Sequence, residues 1–176
     1  MTKKIHYDTI LKNGKAVLPD GIMEVDIAIN NESISTIGNL SDCSADNIID
    51  CSGLHILPGV IDSQVHFREP GLENKENLES GMLAAAAGGV VAVFEMPNTS
   101  PLTITPETIE DKLSRASRVA WTDYAFYLGG TGRTGPNLGK WENAPGICGI
   151  KIFMGASTGD LLAASDEEVA SVLSNG

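Results

Sequence analysis

Little in this chain is basic, aromatic or sulfur-bearing. Twelve lysines and arginines stand against 23 aspartates and glutamates, a formal net charge of −11. A surface of that sign repels phosphate, so nucleic acid and anionic membranes are excluded as natural partners. No apolar run approaches the ~20 residues that a membrane span needs. The N-terminus, Met-Thr-Lys-Lys-Ile-His-Tyr-Asp, lacks the apolar core of a secretory signal. Cys43, Cys51 and Cys148 are odd in number and show no Cys-x-x-Cys spacing. They read as ordinary thiols in a reduced, cytoplasmic setting. Internal repeats and low-complexity segments are also missing. What is present, 42% hydrophobic residues in a chain of 176, suffices for one core with a small satellite domain.

Residues 1–56 read as short strands. Asn13-Gly14 is a strong turn signal. Met23, Val25, Ile27 and Ile29 alternate with Glu24, Asp26, Ala28 and Asn30, which predicts one half-buried strand. Asn30-Asn31 turns it, and Ile34 and Ile37 continue beyond. The plain expectation is a small antiparallel β unit.

From residue 57 to 176 the pattern becomes strand, helix, strand, helix. Leu57 to Gly71 starts apolar at Val60-Ile61 and turns polar. Gln64, His66 and Arg68 alternate with Val65 and Phe67, and on a strand they would share one face. Pro70-Gly71 closes the stretch. Leu78, Met82, Ala85 and Ala86 predict a helix ended by Gly88-Gly89. Val90 to Met96 reads as a strand covered on both faces. Thr105-Pro106 opens a second helix with Ile109, Leu113 and Ala116 inward. Tyr124–Leu128 and Ile147–Met154 are further strands. Ser165 and Glu168 form a capping box before Val169, Val172 and Leu173. Periodicity alone allows half of a (β/α)8 barrel or a small doubly wound sheet.

Several residues carry chemical potential beside a bland alternative. A lone histidine is often structural, yet His66 stands among Asp62, Gln64 and Arg68, and imidazole is a common zinc ligand. Arg68 has the guanidinium fork that matches a carboxylate. Met96-Pro97-Asn98-Thr99 is a plain turn, or a rim loop presenting Asn98. Lys151 lies within Gly149-Ile150-Lys151-Ile152-Phe153-Met154-Gly155, where a charged amine is out of place. Burial favours the neutral amine, which can react with carbon dioxide to give a carbamate. The simpler account is snorkelling to the rim. Gly130-Thr131-Gly132-Arg133-Thr134-Gly135 matches G-x-G-x-x-G but does not open a predicted helix, so it reads as a flexible loop.

These motifs resemble the amidohydrolase superfamily, and dihydroorotase in particular, with allantoinase and hydantoinase as near relatives. The family's first strand reads Asp-x-His-x-His-x-Arg, and here Gln64 stands for the first histidine. The resemblance implies the N-terminal part of a (β/α)8 barrel (57–176) preceded by a small β-sandwich segment (1–56). It implies that His66 and Lys151 hold metal, with Gln64 a departure at a third ligand position. Arg68 and Asn98 would bind the substrate carboxylate, and zinc would be the metal, bridged by a carboxylated Lys151. The Gly155-Ala156-Ser157-Thr158-Gly159 loop resembles the family too. The implied reaction is interconversion of N-carbamoyl-L-aspartate and dihydroorotate. Family members run to more than twice this length, so the later metal histidines and the proton-transferring aspartate are expected outside these residues. No catalytic group is assigned within them, and the chain alone is expected to be inactive. Two alternatives stay open. One is an allantoinase or hydantoinase. The other, prompted by Gln64, is a metal-poor, non-catalytic partner of aspartate transcarbamoylase. The remaining partners expected are a small carboxylate-bearing substrate and further copies of the chain.

Overall fold

The computed structural model describes residues 4–155 and 161–175. The chain divides into two compact units, Met1–Pro58 and Gly59–Gly176.

The first unit holds seven strands. They are β1 (His6–Lys12), β2 (Lys15–Leu18), β3 (Gly21–Glu24), β4 (Asp26–Asn30), β5 (Ser33–Gly38), β6 (Ser44–Asp50) and β7 (His55–Ile56). They form a four-stranded sheet, β5-β4-β1-β6, and a three-stranded sheet, β3-β2-β7. The predicted strand through residues 23–29 is therefore two strands in two sheets, broken at Val25. The cause is Asp26. Its carboxylate accepts the backbone N–H groups of Asn13 and Leu40, at 3.1 and 3.2 Å, and pins the crossover between sheets. The expected facing fails with it: Met23 is exposed and Ala28 is fully buried. Nor is the unit purely antiparallel. β6 runs parallel to β1, and β7 parallel to β2. The turn after β4 is tight, with Asn31 and Glu32 both at positive φ, as a two-residue hairpin requires. Tyr7, Ile10, Ala28 and Leu40 make this unit's core.

The second unit builds a parallel sheet in strict chain order. Its strands are β8 (Val60–Val65), β9 (Val90–Glu95), β10 (Asp123–Gly130) and β11 (Ile147–Ile152). Between and after them lie α1 (Leu78–Ala87), α2 (Pro106–Val119), α3 (Leu138–Trp141) and α4 (Asp166–Leu173). Three helices start on capping boxes: Asn77 with Ser80, Thr105 with Thr108, and Ser165 with Glu168. Each box satisfies two otherwise orphaned amides and fixes the helix start. The core joins Phe67, Leu78, Met82, Val93, Ile109, Phe126, Leu128 and Val172.

Two expectations, the shared face of Gln64, His66 and Arg68 and the flexible loop at 130–135, do not hold. The first strand stops at Val65, so Gln64, His66 and Arg68 do not share a strand face. Arg68 has φ +66°, and the chain has already turned away. β8 is an edge strand in the described sheet, and its apolar start, Val60 and Ile61, is more than half exposed. Leu173 is exposed as well, at the end of α4. The segment 130–135 is not a bare flexible loop. Thr131 N–H donates to Thr134 Oγ1 at 2.7 Å, both threonines are buried, and a 3₁₀ turn (Gly135–Asn137) leads into α3. Residues 156–159 of the expected family loop lie outside the described residues.

Helix α1 carries a glycine, Gly81, in its first half. Alanine there would ordinarily favour a helix by about 1 kcal/mol. Here an added Cβ would lie 2.3 Å from Phe67 Cδ1, a buried ring. Gly81→Ala is expected to lower stability by about 1–3 kcal/mol, the usual range for overpacking. Urea unfolding measures it, and a gain in stability would show that the Phe67 ring yields freely.

Candidate active site at the C-terminal strand ends

In a parallel sheet all C-terminal strand ends lie along one edge, and the residues that leave them share a rim. Val65 stands opposite Glu95, Phe126 opposite Glu95, and Gly129 opposite Lys151. The loops after β8 and β9 are then fastened to one another. Ser100 N–H donates to Pro70 O at 2.9 Å. Gly71 has φ +91°, and a Cβ on it would sit 2.1 Å from the Ser100 carbonyl oxygen, so only glycine allows this approach. Glu69 ties the same loop to the helix layer. Its carboxylate accepts from Leu78 N–H at 2.9 Å, at the start of α1, and from Arg115 Nη1 at 3.3 Å.

This arrangement brings His66 against Asn98, with Nδ1 to Oδ1 at 2.9 Å. An amide oxygen only accepts, so Nδ1 carries the proton and Nε2 keeps its lone pair. Burial holds the imidazole pKa below its usual value. The Asn98 bond opposes the shift, and the positive charges of Arg68, Lys151 and Lys112 add to it. A neutral ring with a free Nε2, oriented through its other nitrogen, is the form that binds metal. Asn98 itself is buried.

The remaining predicted residues fall differently. Arg68 is half-buried, and its Nη1 is enclosed without a hydrogen-bond partner among the described residues. Lys151 is half-buried, with Nζ 5.2 Å from the Phe153 ring centroid. It is not the fully desolvated amine expected from its apolar surroundings. Gln64 is exposed. Its backbone N–H bonds to Asp62 Oδ1 at 3.0 Å, and its side chain bonds to no described residue. Among the described residues no group of three or more His, Cys, Asp or Glu side chains could hold a metal.

The deeply buried lysine is a different one, Lys112 on α2. Its Nζ donates to Glu95 Oε2 at 2.5 Å and to the Met96 carbonyl at 3.2 Å, and it lies 5.3 Å over the Phe126 ring. Both partners of the pair are 1% exposed. Burial pushes the Glu95 carboxyl up to about 7, against the pull of Lys112, and burial lowers the Lys112 amine against the pull of Glu95. Both residues were visible as charges in apolar patterns. Glu95 interrupts the run Val90–Met96, and Lys112 falls on the Ile109–Ala116 stripe. Burial also pushes the Cys148 thiol up to about 11, which keeps it unreactive.

Comparison with known proteins bears on the fold that carries these residues. Residues 53–131 match the family model described as Dihydro-orotase-like. An allantoinase from Desulfitobacterium hafniense (strain DSM 10664 / DCB-2) is 41% identical over 151 residues, covering 84% of this chain and 33% of that protein. A dihydroorotase from Streptococcus pyogenes serotype M3 is 40% identical over 111 residues, covering 62% of this chain and 26% of that one. The solved L-hydantoinase (dihydropyrimidinase) from Arthrobacter aurescens superposes with a TM-score of 0.87 at 34% identity, covering 94% of this chain and 37% of that structure. The chain thus spans about a third or less of the length of these relatives. The parallel sheet and its helices correspond to part of an amidohydrolase (β/α)8 barrel, and the homologues are hydrolases that act on cyclic amides. No described helix is long and apolar enough to cross a membrane.

The buried pair has a pH signature. A raised Glu95 pKa means that the folded state holds this proton more tightly than the unfolded chain. Its contribution to stability is fully present below about 4.5 and is lost as pH rises through about 7. Lys112 acts at higher pH. With its folded pKa depressed, its contribution is present above 10.5 and is lost as pH falls through the folded value. Urea midpoints of the native protein should therefore fall, relative to Glu95→Gln, as pH rises from about 4.5 to about 7. Parallel curves would mean that Glu95 titrates normally.

Proposed function

We propose that the whole protein opens and closes a cyclic amide ring, interconverting dihydroorotate and N-carbamoyl-L-aspartate. Arg68 carries the reading. Its enclosed Nη1, unbonded to any described residue, calls for an anionic acceptor, because a buried charged donor left unpaired is costly. The ring carboxylate of dihydroorotate meets that need with a charge-assisted hydrogen bond. Asn98 Nδ2 stands available to the same carboxylate, since only Oδ1 is engaged by His66. The loop held by Gly71 and Ser100 carries Arg68, whose positive charge is felt at His66.

His66 through Nε2 and Lys151 through Nζ are the residues that would meet zinc. They suit it in kind but not in number, since zinc takes four ligands, or three and a water. Gln64 is a poor substitute for a histidine nitrogen. When bound, the ion would acidify a water and polarise the ring carbonyl. The other ligands and the group that moves the proton belong to the remainder of the protein.

A second reading, ring opening of hydantoin or allantoin, is favoured by two observations. Asn98 is buried and already committed to His66, which weakens it as a carboxylate ligand. Relatives bear the names allantoinase and L-hydantoinase. A non-catalytic role beside aspartate transcarbamoylase draws on Gln64 alone.

Two measurements separate these. In the whole protein, Arg68→Met is expected to raise KM for dihydroorotate about 10–100-fold, the worth of a hydrogen bond to a charged group, and to leave hydantoin unaffected. An unchanged KM for dihydroorotate would remove Arg68 from substrate binding and favour the second reading. Metal analysis should find less than two equivalents of zinc per chain, with Gln64→His raising the content. Two tightly held equivalents in the native protein would show that another group has replaced the histidine.

A further inference from the structure

We infer that the buried Glu95–Lys112 pair is a positioning device that sets the His66–Asn98 hydrogen bond from behind the sheet, an inference that rests on the reading above for where the chemistry occurs. Neither residue reaches the rim. Lys112 Nζ instead grips two consecutive residues at the end of β9, the Glu95 carboxylate and the Met96 carbonyl. Asn98 follows two residues later. On the neighbouring strand, Val65 pairs with Glu95 in register, and Met96 N–H donates to Val65 O at 3.0 Å. The pair is thus fastened to Val65, the residue before His66, and to the residues that lead into Asn98.

Stability does not account for such a pair. Desolvating two charges offsets their attraction, and apolar residues of similar volume are often as stable or better. Its surroundings are apolar already: Val93, Phe126, Ile109 and Ala116 are all buried in the same core. What leucine and methionine cannot do is hold a carbonyl in one orientation. A cation donating to both a carboxylate and the next carbonyl does so, at the point where the chain leaves the sheet toward the site.

The double variant Glu95→Leu/Lys112→Met tests this in protein with isotope-labelled histidine, the His66 signals being identified by their loss in His66→Gln. The variant is expected to fold, while the His66 Nδ1–H proton exchanges with solvent about tenfold faster, the equivalent of one net hydrogen bond. An unchanged exchange rate in a folded double variant overturns the inference. Should that variant fail to fold, Lys112→Gln and Lys112→Met are compared. Glutamine keeps a donor for the Met96 carbonyl and should preserve slow exchange, whereas methionine should lose it, and equal behaviour of the two overturns the inference. In turnover, the double variant should lose kcat about tenfold with KM little changed. Because the proton signal needs no substrate, an absence of ring-opening activity would count against the proposed function and leave this inference standing.

Discussion

A single ammonium, the Lys112 side chain, sits where three elements of the barrel layer meet. It leaves α2, crosses the ring of Phe126 on β10, and ends on the carboxylate and carbonyl that close β9. An amine in that position must be paired, because an isolated charge in an apolar interior is far too costly. The requirement runs both ways. With Glu95 beside it, the helix has one allowed rotation and one allowed height against the sheet, whereas an apolar contact would tolerate sliding. The Ile109 and Ala116 contacts of α2 follow from that placement.

Outward from the pair, precision passes through the backbone. The strand ends are joined by the Met96–Val65 bond, and the loops beyond them by Ser100–Pro70. Thr99 and Thr103 hydroxyls, 3.2 Å apart, stiffen the second loop, and Thr103 N–H returns to Pro97 O. The first loop is tied down by Glu69 at the N-terminus of α1, where a carboxylate is favoured by the unpaired amides. His66 and Asn98 are therefore presented by a braced loop pair, which suits a site whose ring nitrogen must point one way.

Much of this was legible in the residues. Helix starts were readable because Thr105-Pro106 and Ser165-x-x-Glu168 are local signals that tertiary contacts had no reason to override. Strand positions in the second unit were readable because their apolar runs are long and bounded by turns. The break at Val25 was not, since it depends on Asp26 meeting amides at Asn13 and Leu40, distant in the chain. The same holds for Arg68: alternation placed it on a strand, but its backbone conformation is set by packing of the loop that follows. Lys151 stands out because it interrupts an apolar strand, whereas the more deeply buried Lys112 lies in a helix rich in charge, where one more lysine is no signal by itself. The apolar stripe through Ile109 and Ala116 already implicated it. A charge on such a stripe matters as much as a charge in a strand, and the second half of the pair, Glu95, lay in the run Val90–Met96.

The order of strands has a consequence for how each unit comes into being. In the second unit each strand pairs with the one before it, β8 to β9 to β10 to β11. Every new strand leaving the ribosome pairs with its immediate predecessor, across a crossover such as the one that joins Val60 to Val90. The first unit has no such luxury. β1 waits for β6, a partner 38 residues downstream in the pair His6–Ser44, and β2 waits for β7. During synthesis β1 therefore gains β4 on one edge first, and its other edge stays open until β6 has been made.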